Sequence, residues 1–223
     1  MRMVSNGAAL CLAIIEGLCE GVELGVEELH LLEARKRRVR GRQGGATGCG
    51  RGRRGMSADA ATIAYYQANA AYYTFSFGQA PSHHLDGFLD RLDPGARVLE
   101  LGCGAGRDSA RIAERGFDLD ATDGTPAMVR KANERFAVGA RVMRFDELDA
   151  VDAYDAVWAH ACLLHVARTD LPAVLAAIHD ALRPGGWHFA NYKLGTGEGR
   201  DPLGRLTNLP GEPWLESAYR MAG

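Results

Sequence analysis

From Asp59 onward the spacing of apolar residues switches back and forth between the helical and the extended period. Asp59 to about Phe77 reads as a helix, and Ser82 is placed to cap a second, short one over HHLDGFLDRL, closed by the turn Asp93, Pro94, Gly95. ARVLEL then reads as a buried strand, RDSARIAER as a helix ended by Gly116, and FDLDAT as a second strand. Thr125 followed by Pro126 predicts an N-cap with proline at the first helical position, opening PAMVRKANERF. ARVMRF reads as a third strand and YDAVWA as a fourth. In TDLPAVLAAIHDAL, residues Leu171, Val174, Leu175, Ile178 and Leu182 share one helical face; RPGG then turns the chain into a fifth strand, WHFANYK. Strands alternating with helices at this spacing predict an α/β fold, a doubly wound, mainly parallel sheet with helices on both faces. Such sheets bind ligands at the carboxyl ends of their strands.

The pattern changes abruptly near Met56. Before it lies a weakly amphipathic, glycine-interrupted stretch up to about Leu32, then an Arg/Gly run, RKRRVRGRQGGATGCGRGRRG, too poor in apolar residues to order itself. Residues 1–55 are therefore read as a disordered or weakly helical basic extension, and 56–223 as the folded domain. Two origins for the extension stand: a misplaced start upstream of Met56, or an RNA-binding tail of the RGG type, which here lacks the aromatics that stack on bases.

At 223 residues with 47% hydrophobic and 24% charged residues, the chain is long enough to bury a full core. A formal net charge of −2 gives no general case for nucleic acid as a partner, and no apolar run approaches the roughly 20 residues that span a bilayer. Cys11, Cys19, Cys49, Cys103 and Cys162 are odd in number and have no metal-ligand spacing, so no metal site is predicted and the chain reads as cytoplasmic.

The chemistry concentrates in RVLELGCGAGRDS, where a strand runs into Gly102, Gly104 and Gly106 and then into a helix. This is GxGxG; the dinucleotide fingerprint GxGxxG would need glycine where Arg107 stands. Asp123, at the end of the second strand, is placed to accept both hydroxyls of a ribose.

VLELGCGAGRD, ATDGTPAMV, YDAVWAHACLLHV and ALRPGGWHFANYK, in this order, resemble the class I S-adenosylmethionine-dependent methyltransferases of the small methyltransferase-domain type. The resemblance covers about Asp59 to Gly223. It implies a Rossmann-like sheet and S-adenosylmethionine as cofactor. Gly102, Cys103, Gly104 and Gly106 would shape the loop against the methionine part, and Glu100 would support that loop electrostatically. Asp123 and Gly124 would lie at the ribose, Asp146 near the adenine, and His160 and Ala161 on the methyl-transfer side. Tyr65 and Tyr66 resemble the aromatic cap over the cofactor, and His165 is the candidate general base, with a histidine bonded to a backbone carbonyl as the alternative. Cys103 reads as a small loop residue, since methyl transfer needs no protein nucleophile.

In the family the fifth strand and its helix lead into two more strands, so the resemblance implies a C-terminally truncated sheet whose fifth strand has an open edge. The function implied is methyl transfer to a small-molecule acceptor by a protein with no obligate oligomer. An inactive S-adenosylmethionine-binding module and an RNA-directed methyltransferase remain as alternatives.

Overall fold

The computed structural model describes residues 29–35, 58–77 and 80–223. In chain order the elements are β1 (Leu29–Arg35), α1 (Ala60–Phe77), α2 (Leu85–Leu89), β2 (Arg97–Leu101), α3 (Arg107–Glu114), β3 (Asp118–Asp123), α4 (Pro126–Phe136) and β4 (Arg141–Val142). They are followed by β5 (Tyr154–Ala159), α5 (Leu171–Ala181), β6 (Leu182–Lys193), β7 (Gly197–Arg200), β8 (Leu206–Leu209) and α6 (Glu212–Ala222). Six strands form one sheet in the order β1, β6, β5, β2, β3, β4, and every pairing among β2 to β6 is parallel.

The alternation along each strand builds two cores, one per face. Leu99, Leu101, Val157 and Ala159 face α5, whose Leu171, Val174, Leu175 and Ile178 are all buried as their spacing predicted, with Leu215 and Tyr219 of α6 behind them. Val98, Ala156, Trp158 and Phe189 face the other way, onto Leu85, Phe88 and Leu89 of α2 and Ile112 of α3. Reversal of strand order beside β2 opens a crevice over the carboxyl ends of β2, β3 and β5.

Three departures from the sequence reading matter for the site. The edge of β6 is not open: β1 pairs with it antiparallel from Leu29 against Lys193 to Arg35 against Trp187. The N-terminal stretch read as disordered or weakly helical thus contributes a strand, because the row of backbone groups on β6 is a template for one. The rest of 1–57, including nearly all of the Arg/Gly run, lies outside the described residues. Second, the third predicted strand shrinks to Arg141–Val142, paired only with Thr122 and Asp123. Beyond it the Glu147 carboxylate accepts the Arg144 backbone N–H and starts a 3₁₀ turn over Phe145–Glu147. Third, GRDPLGRLTNLP carries an antiparallel hairpin, β7 with β8, separate from the main sheet.

Candidate active site

The β2–α3 loop owes its shape to its glycines. Gly102, Gly104 and Gly106 have φ of 69°, 55° and 82°, the left-handed region that L side chains rarely enter. At Gly102 a Cβ would stand 2.5 Å from the Cβ of Cys162, so this position also lets the loop approach the segment after β5. The Cys103 N–H donates to the Thr122 carbonyl at 2.8 Å, tying the loop to β3.

Asp123 closes the arrangement from β3. One carboxylate oxygen accepts the Gly104 N–H at 3.0 Å and the other the Thr125 N–H at 2.7 Å. The residue lines the cavity over the strand ends. Burial pushes the Asp123 carboxyl up, against the Thr125 and Gly104 backbone donors and the Thr125 hydroxyl. Glu100 is buried beneath the loop and accepts the Ser109 hydroxyl at 2.5 Å. Burial first, and then the Asp108 carboxylate, raise Glu100 to about 8.

Gly102, Cys103, Gly104, Asp123, Gly124 and Asp146 all border one cavity, as do Glu100, His160, Ala161, Tyr66 and His165. Gly106 does not: a Cβ there would meet the Ala132 Cβ at 2.9 Å, so besides its left-handed turn in the loop it lets α3 pack on α4. The Cys103 thiol is buried, which raises its pKa well above the usual thiol range and keeps it protonated. Arg144 holds the Asp146 carboxylate through two bonds, 2.9 and 3.1 Å, fixing it at the cavity wall. Asp108, in the first turn of α3, accepts the Ser82 N–H at 2.7 Å and the Trp158 indole N–H at 3.0 Å. His160 stacks on Trp158 with an interplanar angle of 6°, and burial lowers its pKa to about 4.

The opposite wall comes from α1 and the 3₁₀ turn Leu163–His165. The Tyr66 hydroxyl is 3.0 Å from His165 Nε2, and His165 Nδ1 lies 2.6 Å from the Leu206 carbonyl. The histidine thus makes the backbone contact of the structural alternative with one nitrogen and leaves the other for the tyrosine. Burial lowers the His165 pKa, which favours the neutral ring. Tyr65 does not line the cavity and packs edge-on against Tyr66 at 5.4 Å; Tyr73 takes the lining position on the other side of Tyr66.

The sequence reading missed Arg205. Its Nη1 donates to the Tyr66 hydroxyl at 2.8 Å while Asp201 holds the rest of the guanidinium. It sits on the hairpin segment, bound to α1 also by Arg200 to Asp59 and by the Leu206 N–H to the Thr62 hydroxyl. The only sequence signal was the arginine-rich GRDPLGRLTNLP itself.

Residues 98–186 match the family model described as a methyltransferase domain. That segment is a class I methyltransferase domain. It carries Glu100 through His165 but neither Tyr66 nor Arg205, so the wall opposite the glycine loop is only partly within the matched segment. Within the methyltransferase domain the chain is similar to the ubiquinone biosynthesis O-methyltransferase of Xanthomonas axonopodis pv. citri, 38% identical over 104 residues, covering 43% of each chain. It is also similar to the trans-aconitate 2-methyltransferase of Deinococcus radiodurans, 30% identical over 109 residues, covering 48% of this chain and 41% of that one. The chain thus spans less than half the length of these curated relatives. Among solved structures, the Burkholderia thailandensis 1,6-didemethyltoxoflavin-N1-methyltransferase, bound to 1,6-didemethyltoxoflavin and S-adenosylhomocysteine, superimposes with a TM-score of 0.61. It is 24% identical, with 73% of this chain and 76% of that one covered, and establishes the shared architecture.

Proposed function

We propose that the protein is an S-adenosylmethionine-dependent methyltransferase acting on a small-molecule acceptor. The observation that carries this reading is the Asp123 carboxylate: both oxygens are aimed by backbone donors, and the residue lines the cavity beside Gly102 and Gly104. Two such acceptor oxygens fit a vicinal ribose diol. Gly102, Cys103 and Gly104 would carry the amino-acid portion with Glu100 beneath them, Gly124 and Asp146 the adenosine, and His160 and Ala161 the transfer side; all border the same cavity. Tyr66 and His165 are assigned to the acceptor half, supported by their hydrogen bond at the opposite wall.

When bound, the cofactor supplies a methyl group already activated on a sulfonium. The work left to the chain is to hold an acceptor in line, exclude water and accept a proton where the acceptor must lose one. A cytoplasmic setting is proposed on the cysteine pattern; among the described residues no helix is long and apolar enough to cross a membrane. A monomer is proposed, with no nucleic acid as substrate.

Calorimetry with S-adenosylhomocysteine tests the reading. Wild type binds it, and Asp123→Ala loses about ten-fold or more in affinity, the cost of two charge-assisted hydrogen bonds. Equal affinity of the two proteins removes the site assignment, and no binding to either removes the function.

A further inference from the structure

The hydrogen bonds around Tyr66 have a direction. The Leu206 carbonyl can only accept, so His165 Nδ1 carries the proton. Burial favours the neutral ring, and in that form Nε2 is bare and the proton between Nε2 and Tyr66 belongs to the tyrosine. Arg205 has no acceptor atom and donates to the same phenolic oxygen. Two of the positions around that oxygen are therefore settled, one incoming bond from Arg205 and one outgoing bond to His165. A single lone pair remains on the hydroxyl of a residue that lines the cavity. Both settings come from the hairpin segment, Arg205 through its side chain and Leu206 through its carbonyl.

Resting on the proposed function, we infer that Arg205, Tyr66 and His165 form a proton-accepting subsite and that the methyl acceptor is a hydroxyl compound of phenol or enol type. A group that meets only a lone pair selects a donor, and among donors a hydroxyl gains most by losing its proton, because a free amine already has its nucleophilic lone pair. In the step, the acceptor oxygen bonds to the methyl carbon as the carbon–sulfur bond breaks, leaving a thioether. The hydroxyl proton passes to Tyr66 Oη while the Tyr66 proton passes to His165 Nε2. His165 ends as an imidazolium with its Nδ1–H still on the Leu206 carbonyl, and Tyr66 ends neutral. Tyr66 touches the acceptor and is the catalytic residue; His165 and Arg205 act through it, and Arg205 is a positioning residue.

Phenol and anisole, which share a ring but differ in the donor, test this by ligand-observed NMR on the full chain, free and saturated with S-adenosylhomocysteine. Phenol is expected to bind about five-fold or more tighter than anisole in wild type, the value of one neutral hydrogen bond. The preference should collapse in Tyr66→Phe, whereas Arg205→Met, which frees a second lone pair on the same oxygen, should keep it; loss of packing alone would not separate the two variants. Equal affinities in wild type, absence of phenol binding, a preference that survives Tyr66→Phe, or one lost in Arg205→Met overturns the inference. If S-adenosylhomocysteine fails to bind while the phenol preference is present, the function falls and the donor-selective subsite stands. If it binds and the preference is absent, only the subsite falls.

Discussion

Gly102 meets two demands at once, a left-handed backbone and van der Waals contact with Cys162. Gly95 shares the positive φ, 73°, but nothing lies within 4 Å of a Cβ built there. The pair therefore separates strain from collision: Gly95→Ala should cost about 1 kcal/mol, and Gly102→Ala about 2–4 kcal/mol, measured by urea unfolding. Similar losses would mean that Cys162 yields without cost. Glu100 makes a second residue-scale prediction. Its folded pKa, near 8, lies above the usual carboxylate value, so the folded state holds a proton that the unfolded state releases first. Its contribution to stability is then complete at acid pH and declines as pH rises from about 4.5 to about 8. The wild-type urea midpoint should drop across that window and Glu100→Gln should flatten the drop; parallel profiles would argue that Glu100 is ionised throughout. These residues were visible in the sequence because loop glycines and a buried strand acid are local signals. Gly106 was visible too, but its neighbour Ala132 was not, and only that contact shows that the glycine serves packing.

At the scale of elements, α5 and strands β2, β5 and β6 were legible because their apolar residues repeat at 3.6 or 2 and meet a core at that spacing. The β7–β8 hairpin was not, since GEGR and LTNL have neither period and little apolar surface. Its hold on the body is polar and long-range: Arg200 to Asp59, Leu206 to Thr62, and Arg168 to the Leu209 carbonyl and the Asn208 side chain. The Arg200 guanidinium depresses the Asp59 carboxyl strongly, but Arg200 is half exposed, so solvent screening leaves the pair a small part of global stability. Asp59→Asn is accordingly expected to leave the urea midpoint nearly unchanged while the β7 and β8 amides exchange faster with deuterium. Unchanged exchange would show that the arginine ties are not what holds the hairpin in place.

For the molecule as a whole, one sheet unites residues from both sides of the Arg/Gly run, and β1 with β6 joins segments that no local pattern connects. A variant beginning at Met56 lacks β1 and bares the β6 edge. It should retain S-adenosylhomocysteine binding, because the loop and Asp123 lie on β2 and β3, yet melt several degrees lower and self-associate on size exclusion with light scattering. A monomer with the wild-type melting temperature would show that β1 adds no stability. The same pairing constrains the order of events during synthesis. Residues 29–35 leave the ribosome long before residues 187–193, so β1 must wait, unpaired, until the rest of the sheet exists. Closing so large a loop is entropically slow, which makes β1 docking a late step. While it is pending, each nascent chain carries an unpaired strand, and crowded polysomes are where exchange of β1 between neighbouring copies would begin.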